Sequence, residues 1–140
     1  MVTMISAGLN RLFRAAELIG AALLSGLVLG TGVTLANLSE FSLLPDWLAW
    51  LFPILAGTLL GLLVPELSRA LGALLLMLPI GAAVSLGALV YPEHAVGRLG
   101  ADIAFELSLV PALRGVLLSA PLSLAGLLLG KVLARGGEHQ

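Results

Sequence analysis

The chain has 140 residues, 59% of them apolar and 11% charged, with a formal net charge of −1. A soluble domain carries roughly 25% charged residues, so the composition excludes an ordinary water-soluble globule, and the balanced charge excludes the clustered basic footprint of a nucleic-acid binder. Cysteine is absent, which removes disulfides, thiolate catalysis and Cys-ligated metals.

From Thr3 the polar residues Thr3, Ser6, Asn10 and Arg14 recur at three- or four-residue steps, and Ile5, Leu9, Leu12 and Phe13 gather on another face. This amphipathic start either lies at the membrane interface or runs straight into the first span. The apolar run Leu18 to Ser39 follows Arg11 and Arg14. It is longer than the h-region of a secretory signal and no A-x-A site follows it, so it reads as a retained helix over about 17–37.

A short acidic loop with Glu40 and Asp46 follows, broken by Pro45. The second span is expected over about 47–64. Pro65-Glu66-Leu67-Ser68-Arg69 then makes a polar interfacial turn, marked by Glu66 and Arg69, that forces the second and third spans to be antiparallel neighbours. The third span is expected over 70–91 and an external loop, with Gly97 and Gly100, over 92–111. The stretch Asp102 to Arg114 reads as an interfacial helix or as the first turns of the fourth span, which is placed over about 112–134 with Lys131 snorkelling towards the headgroups.

Each span approaches the 20 or so residues that cross a hydrocarbon core of roughly 30 Å. The expected fold is all-α: one integral membrane domain over 1–140, a bundle of four transmembrane helices, with interfacial helices possible before the first and fourth spans. Arg11, Arg14, Arg69, Lys131 and Arg135 fall on one side; Arg98 and Arg114 fall on the other with Glu40, Asp46, Glu93, Asp102 and Glu106. The positive-inside rule then puts both termini in the cytoplasm and the protein in the cell membrane. Phe41, Trp47, Trp50, Tyr91 and Phe105 fall near the outer boundary, where amphipathic rings sit.

Small residues four apart let helices approach closely. Gly26 to Gly30, Gly57 to Gly61, Gly126 to Gly130, Gly81 to Ser85 and Ala83 to Gly87 all have this spacing and are the candidate packing faces, within the chain or between chains. Leu55-Ala56-Gly57-Thr58-Leu59-Leu60-Gly61 and Leu124-Ala125-Gly126-Leu127-Leu128-Leu129-Gly130 differ at one position, an echo that would fit a duplicated helical hairpin. Pro53, Pro79, Pro111 and Pro121 fall in or beside spans, where they free carbonyls and favour kinks.

Glu17 is the acid nearest the interior of a span, and Arg14 is three residues earlier on the same helix; the two are the candidate ion or proton site, or an interfacial pair. The run Ala16-Glu17-Leu18-Ile19-Gly20 resembles the Ala-Glu-aliphatic-Ile-Gly segment in the first helix of the small multidrug resistance transporters, four-helix proteins whose glutamate binds protons and cationic drugs in turn. That resemblance covers five residues. The upstream arginines, the longer 93–106 region and a third span without tryptophan depart from the family's pattern.

His94 and His139, the only histidines, stand outside the spans, which leaves no ligand set for haem in the bundle and no metal site of recognisable spacing. No His-Asp partnership accompanies the serines, so no enzyme and no cofactor is expected. The expected function is that of a small non-catalytic structural or accessory subunit, partnered by the bilayer and by other membrane subunits or copies of itself. The alternative is a small oligomeric proton- or cation-coupled transporter or channel built around Glu17.

Overall fold

The computed structural model describes the backbone of residues 2–38, 45–95, 97 and 100–137, and side chains within 10–38, 45, 47–92, 97 and 100–136. Among the described residues five helices follow one another: α1 (Val2–Asn37), α2 (Asp46–Ala49), α3 (Leu51–Leu63), α4 (Leu67–Ala95) and α5 (Ala101–Gly137). No strand occurs among the described residues. Among the described residues three segments, Asn10–Asn37, Leu67–Pro92 and Ala101–Gly136, are long and apolar enough to cross a membrane; the apolar segment Trp47–Leu63 is shorter.

The proposed interfacial helices are not separate elements. Between Arg11 and Leu18 nothing in the sequence breaks a helix, and α1 carries the amphipathic start straight into the apolar run. The expected external loop over 92–111 is also replaced. α4 continues to Ala95, and α5 begins at Ala101, with the Ala104 amide bonded to the Gly100 carbonyl. Pro92 lies near the end of α4, where the carbonyl it frees is within reach of water, and the chain turns instead at Gly97, whose φ of 67° favours glycine. Asp102 in the first turn of α5 favours helix initiation there.

The expected second span is divided at Trp50. Pro53 has no amide hydrogen to give the Ala49 carbonyl, so the regular ladder lapses and the Trp50 amide bonds Trp47 at 3.2 Å. By contrast, α4 and α5 run through Pro79, Pro111 and Pro121 as single helices.

Contacts at glycine fix the directions of the helices. A Cβ on Gly26 would meet Ile80 and one on Gly30 would meet Val84, so α1 and α4 run parallel. Gly57 meets Ser123 and Gly61 meets Leu127, so α3 and α5 run parallel too. α1 and α3 are antiparallel: Gly32 lies on Phe52, and Leu18 shares a cavity with Leu63 and Val64. The chain is thus two up-and-down hairpins, α1 with α2–α3 and α4 with α5, laid side by side in the same sense. The core between them holds Leu29, Leu60, Met77 and Leu127, all fully buried.

Five polar side chains of the described apolar segments turn back on their own helices. The hydroxyls of Thr31, Thr34, Thr58 and Ser119 donate to the carbonyls of Leu27, Gly30, Ile54 and Gly115 at 2.7–2.8 Å, and the Asn37 amide donates to Val33. This is how a hydroxyl is satisfied where water is scarce. Ser25, Ser85 and Ser123 are fully buried, and their hydroxyls have no hydrogen-bond partner.

Candidate functional site

The α3–α5 contact is the tightest in the molecule and is nearly symmetric. A Cβ on Gly57 would strike the Ser123 carbonyl, and one on Gly126 would strike the Ile54 carbonyl, each three residues before the facing glycine. One turn on, Gly61 meets Leu127 and Gly130 meets Thr58, with the Gly130 Cα 3.1 Å from a Cβ placed on Gly61. The two echoing segments therefore face each other backbone to backbone. Close approach of this kind is what small residues four apart permit.

The other glycines spaced by four also face helices of this chain. Gly26 and Gly30 lie against α4, and Gly81 lies against Leu29 of α1. Ser85 is buried, whereas Ala83 and Gly87 are exposed, so that pair takes no part in the contacts within the chain. Sequence reasoning missed Gly32 on Phe52 and Gly115 on Val33, neither of which belongs to a G-x-x-x-G. It also missed the inward stripe of α5, where Ala104, Ser108, Ala112, Ser119 and Ser123 are buried. The signal was a run of small residues spaced mostly by four, extending well beyond glycine.

The two ends of the bundle differ chemically. At one end gather Arg11, Arg14 and Glu17 of α1, Glu66 just before α4 and Arg69 in its first turn, and Lys131 and Arg135 of α5. Arg14, Glu17, Glu66 and Arg69 line one cavity of about 200 Å3. Within it Arg69 Nε donates to Glu66 at 2.8 Å, the only ion pair among the described residues. The Arg14–Glu17 pair is thus not formed, and both side chains are exposed. At the other end stand Trp47, Trp50, Tyr91 and Phe105, all exposed. Glu40, Phe41, Arg98 and His139 lie outside the described residues, as do the side chains of Asp46, Glu93 and His94.

Lys131 turns towards the end of α3. Its ammonium donates to the carbonyls of Val64 and Pro65, the latter at 2.9 Å. The last carbonyls of a helix lack intrahelical partners, and the helix dipole places partial negative charge there, so a cation satisfies both. Lys131 thereby ties the end of α3 to α5. Among the described residues no three His, Asp or Glu side chains gather as a metal site.

Among its described residues the molecule is all-helical, with three helices long and apolar enough to cross a bilayer. Compared with known proteins, the chain matches no family model, no curated relative and no solved structure.

Proposed function

We propose that the protein is a four-span integral membrane protein of the cell membrane, with both termini cytoplasmic, that serves as a non-catalytic structural or accessory subunit. One observation carries this reading: the bundle is closed on itself. Leu29, Leu60, Met77 and Leu127 fill its centre, and glycine faces bring α3 against α5 and α1 against α4. What remains outward is an apolar surface including Leu23, Leu27, Leu75, Leu117 and Leu128, which meets lipid or the spans of a larger assembly. The basic end supports the cytoplasmic placement of the termini, since Lys and Arg accumulate on that side of a membrane.

Gentle detergent purification from the source organism and mass measurement of the intact particle test the proposal. Foreign membrane subunits in fixed stoichiometry are the expected result. A particle holding only this chain would sink the accessory role and favour an oligomeric transporter.

That second reading has its own support. Glu17 is exposed and shares a cavity with Arg14, Glu66 and Arg69, a position from which it would meet protons or cations. It predicts that Glu17→Gln abolishes proton-coupled flux in liposomes; unchanged flux removes Glu17 from any coupling role.

A further inference from the structure

We propose that the groove between α1 and α4 at the basic end binds the phosphate of one anionic phospholipid. The groove, about 560 Å3, is lined by Arg11 and Arg14 of α1 and Arg69 of α4, and below them by Leu18, Ile19 and Leu76. The inference rests on the membrane insertion of α1 and α4 and not on the subunit role or the orientation.

The register of the two helices matches the shape of a lipid. α1 and α4 run parallel, and in each the apolar residues follow the cations by the same interval: Arg11 to Leu18 and Arg69 to Leu76 are both seven residues. At 1.5 Å per residue that is about 10 Å along the axis, the drop from a phosphate to the upper part of an acyl chain. Three guanidiniums therefore stand at headgroup level over an apolar trough. A soluble anion would use the first and have no use for the second.

Charge supports the same occupant. Among the described residues no carboxylate lines the groove. Glu17 and Glu66 line the neighbouring cavity, and Glu66 engages Arg69 through Nε alone, one of the five guanidinium N–H donors. The first sixteen residues contain no acid, and neither Arg11 nor Arg14 is ion-paired among the described residues. Guanidinium is the cation best matched to bidentate phosphate, and basic pockets between spans are a recurrent form of lipid headgroup site.

The full chain, purified in mild detergent, would be offered phosphatidylglycerol or phosphatidylcholine and the bound lipid measured by native mass spectrometry. The expected result is one retained phosphatidylglycerol per chain and little phosphatidylcholine. Arg11→Gln/Arg14→Gln should weaken retention by about fivefold for each arginine lost, and adding Arg69→Gln should bring the loss to the order of 100-fold. Arg135→Gln, at the same end but outside the groove, should leave it unchanged. Because Arg69→Gln also removes the Glu66 pair, the double variant with unaltered helix content decides the matter. Equal retention of the two lipids, an unchanged double variant or an equal loss in Arg135→Gln would overturn the proposal. Displacement of the lipid by millimolar inorganic phosphate would also overturn it, by showing an anion site indifferent to the acyl chain.

Discussion

At the scale of the residue, the glycines separate into two groups that respond oppositely to one added methyl. Gly57 and Gly126 face carbonyl oxygens of the opposing backbone, which cannot swing aside as a side chain would. Gly57→Ala and Gly126→Ala should each destabilise the fold by about 1–3 kcal/mol, the usual cost of overpacking. Gly20 and Gly72 meet nothing within 4 Å, so alanine there should stabilise by roughly 0.5–1 kcal/mol through helix propensity alone. Equilibrium unfolding in mixed micelles reads all four, and equal effects in the two groups would contradict the packing. The unpartnered hydroxyls of Ser25, Ser85 and Ser123 give the converse case: small size matters there and polarity does not. Alanine at each should be neutral or stabilise by up to about 1 kcal/mol, since a buried unsatisfied hydroxyl is removed. A marked loss in the same unfolding assay would reveal a hydrogen bond that the geometry does not contain. The spacing of Gly57 with Gly61 and of Gly126 with Gly130 was plain in the sequence. That the two pairs face each other was not, because spacing by four says a face is small and nothing about what lies opposite.

At the scale of the element, the apolar runs gave the helices but not their ends. Residues 92–111 contain Pro92, Gly97 and Gly100 and so read as a loop, yet α4 runs to Ala95 and α5 begins at Ala101. Ile103, Ala104, Phe105 and Leu107 extend the fourth apolar segment backwards as helix. Pro53 shows the reverse error: an apolar run long enough for one helix is divided because one carbonyl loses its donor. The end of α3 was equally hidden, since its cap comes from Lys131, 67 residues away in sequence. Lys131→Met should weaken the α3–α5 pairing and lower stability by about 1–2 kcal/mol, a typical value for a hydrogen bond to a charged group that is partly solvated. Lys131→Arg should recover part of it. Faster amide exchange at the last turn of α3 in Lys131→Met would localise the effect; unchanged exchange would show that the end of α3 holds without the cation.

At the scale of the whole molecule, the sequence carried the charge asymmetry well, because Lys and Arg positions need no contact information. It could not show that Arg11, Arg14 and Arg69 share one groove, since that depends on α1 and α4 lying parallel and adjacent. The orientation is open to direct test in a chain free of cysteine. Glu66→Cys should react with impermeant thiol reagents only from the cytoplasmic side, and Gly97→Cys only from outside; the opposite pattern would invert the topology.

The near-symmetry of the α3–α5 contact has a meaning for how such a molecule arises. A parallel pair in which each glycine meets the same relative position of its partner is the contact that two copies of one hairpin would make on dimerising. Joined by the three residues Val64 to Glu66, the halves meet through a contact of the same form as one between two identical hairpins. An interface of that kind is indifferent to which chain supplies each half. Two molecules exchanging hairpins about this hinge would satisfy the same glycine contacts between α3 and α5, and a hinge of three residues favours that exchange more than a long one would.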